Sequence, residues 1–192
     1  MSDMRDDSDV KIAGRNFEKK DDSFDALSLI EETKRQRFNG NTAKAKVLGA
    51  NIVSAFSYKA APEELRLLAG EYAVEMTGEV LLQLKILSVF SAEYCLKNFL
   101  PSPMLSSVAI GELYDVLDRV SPEFYNELSN STAFSFYYMS IRQGGDVTAE
   151  VGRQFAMLCG RSGDEKYAAF GRKMHEMNVG VYKKAIKGFA FI

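Results

Sequence analysis

The stretch Val80–Leu100 (VLLQLKILSVFSAEYCLKNFL) has a single ionisable side chain, Lys85, in its first thirteen residues. A run this long and apolar, free of Pro and Gly, reads as a helix buried on most sides, with the other elements packed around it. It is shorter than the roughly 20 apolar residues a membrane-spanning helix needs, and Gln83 and Lys85 interrupt it. No membrane span is expected.

The rest of the chain also reads as helical. Four prolines in 192 residues leave long intervals rich in Ala, Leu, Glu, Lys and Met, which favour helix over strand. Hydrophobic residues at 46% and charged residues at 26% are values of a globular chain with a core of its own. The expectation is a single all-α domain over residues 21–192, preceded by a flexible acidic arm at 1–20. It has eight or nine helices packed around a central apolar helix at about 78–100, as an irregular bundle or stacked α-hairpins, with no sheet. The bundle is preferred because one helix is so much more apolar than the others.

Punctuation marks the elements. Asp21-Asp22-Ser23 precedes a helix ending at Phe38, before the turn cluster Asn39-Gly40-Asn41. A second helix runs from Thr42 to about Tyr58 with Val47, Ile52 (or Ala50) and Phe56 inward. Ala61-Pro62-Glu63-Glu64 starts a third, carrying Leu65, Leu68, Tyr72 and Met76; Gly78 either ends it or bends it into the central helix. Pro103 and Pro122 open two more, the first with Val108, Leu113, Val116, Leu117 and Val120 as its stripe. Gly144-Gly145-Asp146 caps a helix with Val151, Phe155 and Leu158, which Gly160 ends. Ser162-Gly163-Asp164-Glu165 fits a capping box before a last helix striped with Tyr167, Phe170, Met174, Met177 and Val181. Gly152 and Phe155 have the small-then-aromatic spacing of tetratricopeptide repeats, but the later positions of that signature do not follow and no second copy appears.

Chemistry is sparse. Asp21-Asp22-Ser23-Phe24-Asp25 has the D-D-x-x-D spacing that holds magnesium and diphosphate in helical prenyl-transferring enzymes, but no second acidic cluster accompanies it. Capping a helix is its expected role. One histidine, His175, and two separated cysteines, Cys95 and Cys159, cannot make the usual di-iron or zinc sites. His175 is expected at the surface or partly buried in a structural role, and the cysteines as buried free thiols of a reducing cytoplasm. Phosphate-cradling loops are absent, and Gly160–Gly163 is too short a signal for an anion site. No catalytic residue, metal ligand or cofactor is named, and the balance leans away from an enzyme.

Charge is uneven although it nets to −2. Residues 1–25 hold eight acids and five bases, and residues 161–192 seven bases and three acids. Without a continuous basic face joining Arg142, Arg153, Arg161, Arg172 and Lys173, nucleic acid is not an expected partner. The acidic N-terminus lacks the basic start and apolar core of a secretory signal, so the expected location is the cytoplasm.

Two surfaces remain. Leu128–Ile141 has no charge in fourteen residues, and Phe134, Tyr137, Tyr138 and Ile141 share one helical stripe. With Arg142 next in line, Phe134, Tyr137, Tyr138 and Arg142 form a candidate pocket for a small ligand or peptide. On the central helix, Glu79, Gln83, Glu93 and Lys97 make a polar seam, and Ile86 and Phe90 fall on the same stripe. Either another segment of the chain covers these two, or they are a candidate interface for a second molecule. The same choice attends Phe189, Phe191 and Ile192, for which docking back is preferred. The first functional expectation is a cytoplasmic, non-enzymatic helical protein working through protein–protein contact, as adaptor or homo-oligomer. A sensor with an aromatic pocket at 134–142 is the alternative.

Overall fold

The computed structural model describes residues 22–54, 63–142 and 145–192, with side chains from Ser28 onward. The acidic arm, the D-D-x-x-D side chains, Phe56 and Pro62 lie outside the described residues. Nine helices are described: α1 (Asp22–Phe38), α2 (Asn41–Ser54), α3 (Glu63–Glu71), α4 (Gly78–Phe99), α5 (Pro103–Val120), α6 (Pro122–Asn130), α7 (Ala133–Arg142), α8 (Val147–Leu158) and α9 (Glu165–Gly188). Among the described residues there is no strand, and the helices pack as a single bundle domain.

α4 is the centre. Twelve of its 22 residues are buried, spread around its circumference, because α5, α7, α8 and α9 all lie against it. Its start is set by Thr77, whose Oγ1 accepts the Val80 N–H at 3.3 Å. Gly78 is the first residue of α4 and neither ends nor bends α3. α3 stops instead in a left-handed turn at Ala73 (φ 53°), closed by the Val74 N–H donating to the Ala69 carbonyl. That turn ordinarily calls for glycine, so the stop leaves no mark in the sequence. At its other end α4 is tied to α5 by the Ser106 hydroxyl, which donates to the Leu96 carbonyl at 2.8 Å.

Several inward stripes are displaced from those the large apolar residues suggest. α2 buries Ala45, Leu48, Gly49, Ile52 and Val53, while Val47 is half exposed. Small residues face inward because α2 and α5 cross closely. α9 buries Tyr167, Phe170, Gly171, His175, Tyr182 and Ile186, leaving Met177 and Val181 outside. Its first half lies on α8 and its second half on α4, so the buried face rotates along the helix. One stripe cannot describe a helix with two successive partners. Val120, at the end of α5, is likewise exposed.

The cap of α9 differs too. Gly160 and Gly163 both take positive φ, which carries the chain past Ser162, and the Asp164 carboxylate accepts the N–H groups of Lys166 and Tyr167. Asp146 caps α8 in the same way. Residues 189–192 fold back against the start of α2. Lys44 Nζ donates to the Ala190 carbonyl at 3.0 Å, and the Ile192 N–H donates to Asn41 Oδ1 at 3.2 Å.

Two glycines allow the close crossings. A Cβ at Gly49 would stand 2.2 Å from the Ala109 carbonyl oxygen, and one at Gly152 would stand 2.3 Å from that of Ala168. Both obstacles are helix backbone and cannot swing aside. Gly49→Ala and Gly152→Ala should each lower stability by about 2–3 kcal/mol in urea unfolding. Gly111→Ala, in the open interior of α5, should raise it by roughly 0.5–1 kcal/mol.

Candidate functional site

The two surfaces proposed from the sequence meet inside the protein. Phe90 has no exposed surface, and Ile86 is 1% exposed. The Phe90 ring is stacked on Tyr137 with centroids 4.8 Å apart, and meets the edges of Tyr138 at 5.5 Å and Phe134 at 6.0 Å. α7 thus covers Phe90, and Ile86 one turn earlier is buried in the same core. Ile86 and Phe90 present nothing to a second molecule, which corrects the interface reading of these two residues. Nor do Phe134, Tyr137 and Tyr138 turn their stripe to an open groove, since Phe90 occupies it. Arg142 stays apart, exposed at the end of α7.

Beside this aromatic layer lies a polar knot that the sequence reading placed on the wet face. Glu93 is 7% exposed. Its Oε2 accepts the Tyr114 hydroxyl at 2.7 Å, and its Oε1 accepts the Tyr138 hydroxyl and Lys97 Nζ, each at 2.5 Å. Lys97 Nζ also donates to the Tyr138 oxygen at 2.7 Å and stands 4.6 Å from that ring's centroid. Burial pushes the Glu93 pKa up, but the bonds from Lys97, Tyr138 and Tyr114 outweigh it and hold the carboxyl below its usual 4.5. Glu93 is therefore ionised, and its oxygens are taken by three donors from α4, α5 and α7. Such an arrangement binds helices together and leaves little free valence for a ligand.

On the α9 side, His175 is 2% exposed, deeper than the surface or partly buried position expected for it. Its Nδ1 lies 2.8 Å from Ser91 Oγ, and the single Ser91 hydroxyl hydrogen goes to the Leu87 carbonyl at 2.7 Å. The imidazole then carries its proton on Nδ1, assigned from this bonding pattern. Burial pulls the His175 pKa down from 6.5 to about 4, against a smaller opposing effect of Glu176. The Tyr137 hydroxyl is fully buried with no hydrogen-bond partner, and burial raises its pKa well above 10. Cys95 and Cys159 are free, with thiols raised by burial to about 12, so neither is poised as a nucleophile.

Elsewhere the candidate chemistry is answered locally. At the Gly160–Gly163 turn, the Asp164 carboxylate already takes the N–H groups an anion would need. Arg153 is bonded to Glu150, Arg172 to Glu176 at 3.1 Å, and Arg161 lies over the Tyr167 ring at 5.5 Å. Among the described residues no group of three His, Cys, Asp or Glu could hold a metal, and no helix is long and apolar enough to cross a membrane.

Sequence reasoning placed Glu93 and Lys97 on a wet seam and His175 near the surface, and it did not single out Tyr114. The signal was there. Ile86 and Phe90 on the polar stripe meant that the stripe was covered, and Glu93 between Phe90 and Lys97 had to be covered with it. No protein-family model matches the chain, and no curated protein or solved structure matches it.

The buried His175 makes stability depend on pH. Its folded pKa of about 4 lies below the 6.5 of an unfolded histidine, so its contribution is full above 6.5 and declines as pH falls toward 4. Unfolding free energy should drop by about 2 kcal/mol between pH 7 and pH 5. His175→Gln should remove most of that slope in urea titrations at the two pH values. Glu93 acts lower down: its depressed pKa gives stability that is present above 4.5 and lost as pH falls through its folded value.

Proposed function

We propose that this is a non-enzymatic, cytoplasmic helical protein that works through protein–protein contact, as a homo-oligomer or adaptor, with the α1–α2 layer as its contact surface. The observation that carries the reading is Phe38, 93% exposed at the end of α1. Leu29, Ile30 and Val47 in the same two helices are also half or more exposed. α1 makes its main contact with α2, which leaves Leu29, Ile30 and Phe38 exposed. A 17-residue helix is marginal in water without an apolar face to bury, so these side chains favour a further surface against them.

The alternative, a small-ligand pocket at Phe134, Tyr137, Tyr138 and Arg142, has less support. The ring faces are engaged by Phe90, the Tyr138 hydroxyl by Glu93 and Lys97, and Arg142 points away from the cluster's interior by its exposure.

Native mass spectrometry of the purified chain over a concentration series tests the contact reading. Phe38→Asp should weaken self-association about tenfold, equivalent to about 1.4 kcal/mol, while melting stays unchanged. A strictly monomeric wild type, with Phe38→Asp equal to it in solubility, would sink the proposal.

A further inference from the structure

α1 leaves the body of the protein as it runs back toward its start. Leu29 and Gln36 are seven residues apart, two helical turns, so they lie on one side of α1. Gln36 is 5% exposed and Leu29 59%. The side of α1 that is covered near the turn into α2 is therefore bare two turns earlier, and Ile30 beside it is half exposed. This bare end is acidic: residues 21–32 hold five acids and no base.

The outer face of α9 has the opposite character. α8 and α4 take its inner faces, which leaves Met177 and Val181, one turn apart, half exposed. A Cβ at Gly180, beside them, would meet nothing within 4 Å, so this stretch is open. Residues 177–192 hold three lysines and no acid. Lys183 lies over the Phe99 ring at 4.6 Å. Lys184, seven residues after Met177, is exposed on the same stripe, and the exposed Lys187 flanks it.

We infer that the outer face of α9 receives the start of α1 from a second copy of the chain. This rests on the contact reading above and names the surface on the other side of that contact. Each face offers what the other lacks: two apolar side chains beside acids on α1, and two beside lysines on α9. Pairing α1 with α1, or α9 with α9, would set like charges together, so charge selects the mixed pair. Within one chain both faces stand in water and do not cover each other. The spacing also agrees. Laid antiparallel, Leu29 and Ile30 meet Val181 and Met177. The run from Leu29 back to Asp22 then lies along that from Val181 on to Lys187, each rising about 10 Å. Both faces belong to the same chain, so every copy carries the complement of its neighbour.

Charge exchange tests the pairing by sedimentation velocity on the full chain. Asp22→Lys/Asp25→Lys and Lys184→Glu/Lys187→Glu should each weaken self-association about tenfold, with circular dichroism showing both folded. Mixing the two variants should restore wild-type association, because each then meets its opposite charge. Association of the unmodified chain should weaken several-fold from about 50 mM to about 500 mM sodium chloride, a measurement that needs neither variant. A mixture no better than its components, variants that associate as the wild type does, or indifference to salt overturns the α1–α9 pairing and leaves the contact reading standing. A chain that is monomeric at every concentration overturns both. If that monomer binds phosphatidylserine vesicles and Lys184→Glu/Lys187→Glu releases it, the lysine face serves an anionic membrane instead.

Discussion

The structure depends on how one ionised carboxylate is kept inside it. From Val80 to Leu96 α4 has no solvent-exposed residue, so the polar residues on its seam are covered along with the apolar ones. Glu93 is the severe case, because an unpaired buried charge costs several kcal/mol. Three donors answer it: Lys97 from the next turn, Tyr114 from α5 and Tyr138 from α7. They fix the positions of two neighbouring helices against α4 as firmly as the apolar contacts do. A bundle of interchangeable apolar faces could slide; a carboxylate with three directed bonds allows one register.

The same covering explains why two apparent sites became one interior. The α7 aromatics needed an apolar surface, and Ile86 and Phe90 needed a cover. Each supplies what the other lacked. Their combination leaves a neutral histidine and an unpartnered tyrosine hydroxyl in the dry region, where burial shifts both pKa values away from physiological pH. Groups so displaced make the fold sensitive to acid and are poorly suited to proton transfer near neutrality.

The opposite end of the molecule is less self-contained. The core around α4 is enclosed by side chains from four helices, whereas the α1–α2 layer rests on α5 at close range and ends in a corner held by backbone contacts to residues 189–192. Phe38, left almost wholly in water, stands three residues before that corner.

The sequence by itself determined the helical class, most helix limits and the identity of the central helix, because these follow from local signals: prolines at first turns, capping acids, and the apolar run at Val80–Ala92. It also held the clue that the α4 seam was covered, in Ile86 and Phe90. It could not show which neighbour did the covering, since α7 lies some forty residues away in the chain and contact over that span leaves no periodic mark. Only the tertiary structure decided that Glu93 and His175 are buried, that α9 turns its buried face from α8 to α4, and that Ala73 ends a helix as a glycine would. Each of these depends on a long-range partner or a paid-for strain. Local propensity records neither.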